Sequence, residues 1–198
     1  MRHNLTTPYG NIATENPWLD KEIVREVMTE DCYRLKDLAK VYTPSIVFDI
    51  GSGCGIVSMM ASHLWPSSKI TAFEYDPHIA ASTRTNLPHA QVVEGAVGYQ
   101  LTARQLTNRY GFADLLCIDC EGGEVPFFYD LFTQGILERF PVICGEWHQW
   151  PGRRLMEACL QERYHMKFVN PVDGAGPWSY FFAVHQGLPI EVAKGWGV

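Results

Sequence analysis

The sequence predicts an α/β fold whose mostly parallel seven-stranded sheet, with one antiparallel edge strand, has helices on both faces. Short apolar runs typical of buried strands alternate with longer segments whose apolar residues recur at helical spacing. The last two predicted strands are joined by a turn-rich segment without a helix, so they should pair antiparallel at one edge. The predicted strands are 46–50, 69–75, 91–97, 113–119, 141–147, 165–169 and 179–185.

Helices are predicted between these strands, at 56–64, 77–87, 125–139 and 153–164. Ahead of the first strand, residues 1–17 are polar and contain proline and glycine, which predicts a loosely ordered arm. Residues 18–41 show helical spacing and predict one or two helices. We therefore divide the chain into an N-terminal arm and helical cap, residues 1–45, and a cofactor-binding domain, residues 46–198.

The amino-acid composition and net charge argue against several classes of function. The chain has 198 residues, of which 46% are hydrophobic, enough for one domain with a substantial core. A net charge of −6 argues against a protein that binds nucleic acid by neutralising phosphates. No apolar run approaches the ~18 residues of a membrane span, and no apolar segment follows the N-terminus, so we expect no membrane association and a cytoplasmic location. The six cysteines lie mostly in apolar contexts, which favours buried free thiols.

The loop after the first strand reads DIGSGCG, residues 49–55. Its glycines allow the backbone to approach a ligand closely, with a helix N-terminus behind them. The dinucleotide fingerprint GxGxxG requires glycine at position 56, where this chain has isoleucine, so an NAD-dependent oxidoreductase is the weaker interpretation. DxGxGxG is instead the pattern of class I methyltransferases, although glycine-rich turns occur in other α/β folds. In that interpretation Asp49 contacts the cationic amino group of S-adenosylmethionine, and Gly51, Ser52, Gly53 and Gly55 surround the cofactor.

Further candidates for cofactor binding follow the next strands. Glu74 ends the second strand, about 25 residues after Asp49, where an acidic residue of a doubly wound fold accepts hydrogen bonds from ribose hydroxyls. Tyr75 is placed to lie against the adenine. Gly95 with Ala96, and Asp119, fall at the ends of the third and fourth predicted strands, so all are expected to meet at one edge of the sheet.

The segment IDCEGGE, residues 118–124, resembles the IDxEGxE signature of FkbM-type methyltransferases. The resemblance extends over roughly residues 30–185. It includes DCYRL at 31–35, VFDIGSGCG at 47–55, AFEYDP at 72–77, Asn86, GAVG at 95–98, and GEWH at 145–148, which is similar to the family's E-x-H. The chain departs from the family at Cys117, where lysine is usual, and in the loop, where GANxG is common. The resemblance implies a Rossmann-like class I methyltransferase fold and methyl transfer from S-adenosylmethionine, usually to a hydroxyl of a sugar or natural product.

Transfer to a hydroxyl requires an in-line arrangement and a group that takes the proton. Glu146 and His148 are two apart on a predicted strand and should face the same way, as should Asp119 and Glu121. We expect His148 or Asp119 to act as the base, with Glu146 beside them, and a small-molecule or glycan acceptor. No metal site is assigned, but the same four side chains offer Mg²⁺ a ligand set as an alternative.

Aromatic side chains are the candidates for the acceptor pocket. Trp147, Trp150 and Trp178 either line this pocket or pack in the core and rim. The helices over 18–41 are expected to cover the cofactor edge, so that Tyr33 or Trp18 reaches the pocket.

Two other functions stay open on the same fold. A cofactor-binding module without catalysis would bind S-adenosylmethionine and act as a partner or regulator. A nucleic-acid or protein methyltransferase is the other. Amino-methylating DNA enzymes usually have an (N/D)PP(Y/F) tetrad after the fourth strand, where this chain has DCEG, residues 119–122.

Overall fold

A computed structural model describes residues 3–148, 150–169 and 179–198; side chains are described outside 150–153. The strands in this part of the chain are β1 (His3–Thr7), β2 (Gly10–Thr14), β3 (Ile46–Ile50), β4 (Lys69–Glu74), β5 (Gln91–Glu94), β6 (Leu115–Ile118), β7 (Val142–Trp147), β8 (Tyr164–Val169) and β9 (Ser179–His185). The α-helices are α1 (Pro17–Val24), α2 (Leu35–Leu38), α3 (Ile56–Leu64), α4 (Pro77–Asn86), α5 (Ala103–Tyr110), α6 (Glu124–Thr133), α7 (Trp150–Leu160) and α8 (Ile190–Trp196). A π-helical turn, Arg25–Thr29, continues α1, and a 3₁₀ turn, Leu137–Arg139, follows α6.

Seven strands form one sheet in the order β5-β4-β3-β6-β7-β9-β8. All neighbouring pairs are parallel except those of β9, which runs antiparallel to both β7 and β8. The predicted fold class is therefore confirmed, including the antiparallel pairing of the last two strands. Strand order reverses between β3 and β6, so the carboxyl ends of these two strands flank the crevice where doubly wound folds bind ligands.

The core lies on both faces of this sheet. Because side chains alternate along a strand, Val47 and Phe48 of β3 belong to two separate hydrophobic clusters. The cluster around Val47 includes residues of α2, α3 and α8: Leu35, Met60 and Trp196. The cluster around Phe48 includes residues of α5 and α6: Leu106, Phe127 and Phe128.

The N-terminal arm is a β-hairpin, so the expectation of a loosely ordered arm is wrong. Strands β1 and β2 pair over their full length, and Ile12 is fully buried. Asn86 at the end of α4 anchors the hairpin, because its side chain accepts a hydrogen bond from Ala13 N at 2.7 Å and donates one to Ala13 O at 2.9 Å. The same amide donates to Cys54 O at 2.8 Å, which ties the hairpin to the glycine-rich loop.

Two helices were not predicted. In α5, between β5 and β6, few residues are apolar, but Thr102 and Gln105 form a capping box that fixes its first turn. Helix α8 follows β9, and its Trp196 donates a hydrogen bond from Nε1 to Arg34 O at 2.9 Å. Strand β5 also ends three residues earlier than predicted, at Glu94. Helix α8 packs on α2, so the N-terminal and C-terminal residues contact each other. The division of the chain at residue 45 stays a prediction.

No helix in the described ranges is both long and apolar enough to span a bilayer.

Candidate active site

The glycine-rich loop connects β3 to α3 at the sheet's switch point. Gly51, Gly53 and Gly55 all have positive φ, at 82°, 53° and 91°. A Cβ on Gly51 would lie 1.7 Å from Asp119 O, so only glycine permits the close approach of the loops after β3 and β6. A Cβ on Gly53 would meet no atom within 4 Å, so this backbone borders open space. Gly55 instead faces Leu87, directly after α4.

Asp49 lies beneath this loop and is 3% exposed. Ser58 Oγ, from the first turns of α3, donates a hydrogen bond to Asp49 Oδ2 at 2.5 Å. Burial raises the pKa of Asp49 to about 6, an effect that the Ser58 hydrogen bonds oppose and the charge of Glu74 reinforces. Ser58 thus holds the Asp49 carboxylate beside the loop. Because this carboxylate is buried, its ionisation costs free energy.

Glu74 ends β4 with both carboxylate oxygens oriented. Oε2 accepts from Gly53 N and Oε1 from Asp76 N, each at 2.9 Å. Burial raises the pKa of Glu74, and these backbone hydrogen bonds oppose the rise. Each oxygen keeps a second lone pair for a ligand. Tyr75 beside it is 69% exposed, at the rim of the sheet.

The end of β5 completes this edge. Gly95 donates its N–H to Glu74 O at 3.0 Å, in a left-handed conformation at φ 156°. Ala96 donates its N–H to Gln100 Oε1 at 3.3 Å. The predicted cofactor residues after β3, β4 and β5 therefore form one continuous edge.

A cavity of about 80 Å³ lies between the loop and the N-terminal helices. Its lining includes five of the predicted residues: Asp49, Gly51, Ser52, Gly53 and Asp119. Glu74, Tyr75, Gly95, Ala96 and Gly55 are outside this lining. Ser52 Oγ is buried and has no hydrogen-bond partner in the described structure. A buried hydroxyl without a partner is costly, and because Ser52 lines the cavity, its Oγ is a candidate hydrogen-bond partner for a ligand there.

The N-terminal segment closes the other side of the cavity with Asp20, Ile23, Val27 and Tyr33. Tyr33 is placed by a tight turn in which Asp31 Oδ1 accepts a hydrogen bond from Leu35 N at 2.8 Å. Its hydroxyl donates to Asp119 Oδ2 at 2.9 Å. Tyr33 therefore reaches the site, whereas Trp18 is 77% exposed and does not line the cavity.

Acidic side chains converge on His148 directly after β7. His148 Nε2 is 3.6 Å from Asp119 Oδ1, 3.5 Å from Glu146 Oε2 and 3.6 Å from Glu121 Oε2. The structure thus brings together all four residues that the sequence placed at the ends of β6 and β7. Asp119 also lines the cavity, so this cluster and the cavity adjoin.

Glu124 contacts His148 on the side of the ring opposite to Asp119, Glu121 and Glu146, which together with His148 form the acidic cluster. The sequence did not reveal this role. Glu124 begins α6 and is 1% exposed. Its Oε1 accepts from Cys120 N at 2.8 Å and lies 3.2 Å from His148 Nδ1, while Oε2 accepts from Gly122 N at 2.8 Å. Although burial raises the pKa of Glu124, its hydrogen bonds to His148 and to the backbone lower it overall. The only signal in the sequence was the last glutamate of IDxEGxE.

The cluster determines the protonation of His148. Burial lowers the pKa of His148, but hydrogen bonds to Glu124 and Glu146 and the charge of Asp119 raise it to about 11. At neutral pH the ring is therefore an imidazolium, which cannot accept a proton. Burial and the charge of Glu146 raise the pKa of Asp119, while His148 and Tyr33 oppose the rise. The electrostatics favour Asp119 over His148 as proton acceptor.

Trp147 is a core residue rather than part of an acceptor pocket. It is 2% exposed and packs against Phe128 and Phe181, with ring centroids 6.1 and 6.4 Å apart. The Trp150 side chain and Trp178 lie outside the described residues. Cys117 and Cys144, on neighbouring strands, are buried free thiols whose sulfurs are 3.5 Å apart.

The fold is that of class I S-adenosylmethionine-dependent methyltransferases. The chain is similar to the O-methyltransferase TomG from Streptomyces achromogenes, involved in tomaymycin synthesis and solved with SAM, with TM-score 0.62, 13% identity, and 84% and 89% of the two chains covered. It is also similar to an O-methyltransferase from Bacillus cereus solved with SAH, with TM-score 0.61, 14% identity, and 84% and 90% covered. A precorrin-6y C5,15-methyltransferase from Geobacter metallireducens aligns with TM-score 0.57, 19% identity, and 77% and 87% covered.

No protein-family profile and no curated protein sequence matches the chain.

Proposed function

We propose that this protein is a methyltransferase that uses S-adenosylmethionine. The observation that most supports this function is the cavity at the β3–β6 crevice, bordered by Asp49, the open backbone of Gly53 and the unpartnered hydroxyl of Ser52. Three aspartates, Asp20, Asp49 and Asp119, line it, which suits a ligand with an ammonium and a sulfonium. The residues present therefore fit this cofactor.

Each binding residue has a distinct role in this proposal. Asp49 binds the amino group of the cofactor, directly or through water, and Ser52 Oγ pairs with its polar tail. Glu74 accepts hydrogen bonds from the ribose hydroxyls with the lone pairs that Gly53 and Asp76 leave free. Tyr75, exposed at the rim, lies against the adenine, and Gly95 and Ala96 border the same end.

We further propose that the acceptor is a hydroxyl of a small molecule or glycan, as in FkbM-type enzymes. When bound, the cofactor supplies an electrophilic methyl group on its sulfonium. Asp119, next to both the cavity and the acidic cluster, takes the proton as the acceptor oxygen bonds to the methyl carbon and the carbon–sulfur bond breaks. His148 faces Asp119 and balances its charge, and Glu146 lies against the same ring nitrogen of His148. The segment IDCEGGE, residues 118–124, supports the FkbM-type assignment, because its last glutamate, Glu124, contacts His148.

Calorimetric titration with S-adenosylhomocysteine tests the cofactor. We expect wild type to bind S-adenosylhomocysteine and not NAD, and Glu74→Ala to lose that binding. Glu94→Ala is the matched control, since Glu94 lies opposite Glu74 on β5 but pairs with Arg84 on the surface. A wild-type protein that does not bind S-adenosylhomocysteine would refute the proposed function.

A further inference from the structure

The acidic cluster beside the cavity has the composition of a metal site. One ligand atom from each of Asp119, Glu146 and His148 lies within 4.8 Å of the other two. We propose that these three side chains bind a divalent transition-metal ion of the Mn²⁺ type at the acceptor end of the site. This inference rests on the proposed function, because it places the ion next to the transferred methyl group.

Two of the donor distances are within about half an ångström of those expected around one ion. Neighbouring ligands of an ion bound at about 2.1 Å lie about 3 Å apart. His148 Nε2 is 3.5 Å from Glu146 Oε2 and 3.6 Å from Asp119 Oδ1. To bind one ion, the two carboxylates would move about half an ångström closer to Nε2 and to within about 3 Å of each other. In an octahedral complex, three positions would then stay open for water or an acceptor oxygen.

The contact between Glu124 and the other ring nitrogen of His148 also supports the site. Histidines that bind metals almost always pair their other ring nitrogen with a carboxylate, a carbonyl or water. Here His148 Nδ1 lies 3.2 Å from Glu124 Oε1, and the carboxylate of Glu124 is itself fixed by Cys120 N and Gly122 N. This buried support directs Nε2 at the two carboxylates.

The charge around His148 also favours a divalent ion. Within 4 Å of its ring nitrogens, the described residues place four carboxylates, those of Asp119, Glu121, Glu124 and Glu146. A divalent ion that replaced the proton on Nε2 of His148 would bring one more positive charge to these carboxylates than that proton does.

The nitrogen donor selects among ions. Mg²⁺ and Ca²⁺ prefer oxygen ligands, whereas two carboxylates with one imidazole suit Mn²⁺, Fe²⁺ and related ions. With an ion bound, an acceptor hydroxyl that entered an open position would be polarised for loss of its proton.

Electron paramagnetic resonance of Mn²⁺ added to the full-length protein tests the site, since free aqueous Mn²⁺ gives a strong signal that is lost on binding. We expect wild type to bind Mn²⁺ more tightly than Mg²⁺. We expect His148→Gln and Glu146→Gln to weaken Mn²⁺ binding about tenfold or more. Glu124→Gln should weaken it about 10- to 100-fold, because Glu124 orients the His148 ring. Glu138→Gln, outside the cluster, is the control and should bind as wild type does.

A second readout needs no variant. The spin echo of the Mn²⁺ complex with wild type should show modulation by a histidine nitrogen. Absence of Mn²⁺ binding, absence of this modulation, or equal binding by wild type and His148→Gln would each overturn the metal site. Titration with S-adenosylhomocysteine alone keeps the two proposals apart, because cofactor binding without Mn²⁺ binding rejects only the metal site.

Discussion

Asp49→Asn should change the pH dependence of folding in a calculable way. Asp49 titrates at about 6 in the folded protein, whereas an aspartate in an unfolded chain titrates near about 3.9. The folded state therefore binds the proton more tightly. Its stabilising contribution is fully present below the unfolded pKa and is lost as pH rises through the folded pKa.

The magnitude follows from linkage. With those two pKa values, wild type loses about 1.4 kcal/mol of unfolding free energy through Asp49 between about pH 5 and about pH 7.5. The asparagine side chain of the variant does not titrate, so this loss is absent there. The difference in stability, variant minus wild type, should therefore be about 1.4 kcal/mol more positive at the higher pH, or roughly 3–6 °C in Tm.

Urea denaturation of both proteins at the two pH values measures this quantity. Any constant cost of the asparagine amide cancels, because each protein is compared with itself across pH. Asp130→Asn, on α6 and outside the cavity lining, serves as the control, because its side chain is only partly buried and burial is the cause proposed for the effect at Asp49. A stability difference for Asp49→Asn that is the same at both pH values would refute the argument that burial costs the ionised carboxylate free energy.

Three further variants test other contacts. Tyr33→Phe removes the hydroxyl that lowers the pKa of Asp119, so the rising limb of the kcat–pH profile should move to higher pH; an unmoved limb would contradict this role. Asn86→Ala removes three hydrogen bonds between the hairpin, α4 and the loop, and should lower the free energy of unfolding in urea by about 2–4 kcal/mol. Gly51→Ala places a Cβ against Asp119 O, whereas Gly53→Ala places one in open space, so thermal melts should show much greater destabilisation for Gly51→Ala although both glycines have positive φ.

The sheet could be predicted because a strand that is buried on both faces requires a continuous run of apolar residues in the sequence. Residues 115–118 of β6 are all buried and form one apolar run. Helix α5 has no comparable apolar pattern, because only a narrow face of it is apolar and its first turn depends on a capping box at Thr102. The hairpin was missed for a related reason. Its attachment depends on the long-range hydrogen bonds of Asn86 and on the buried side chain of Ile12, and one apolar residue does not make a recognisable pattern.

Those site residues could be predicted whose position is determined by the end of a strand. Asp49 and Glu74 lie in the last residues of parallel strands and Asp119 directly follows one, and such ends meet at one edge of the sheet. The role of Glu124 could not be derived in this way, because it depends on a turn that places Glu121 at φ 54°. The same limit explains the expectation that His148 is a base. An isolated histidine titrates near neutral pH, and only the fold reveals the carboxylates that raise its pKa to about 11.

The position of Asp119 explains why a carboxylate suits the proposed reaction. It lines the cavity on one side and contacts the acidic cluster on the other. Before transfer it would face the positive sulfonium, and after transfer it would hold the proton released by the acceptor. One positive charge is thus replaced by another near the same carboxylate. The surrounding dipoles, fixed by Tyr33 and His148, then need little reorganisation during the reaction, which is the condition under which preorganised electrostatics lower a barrier.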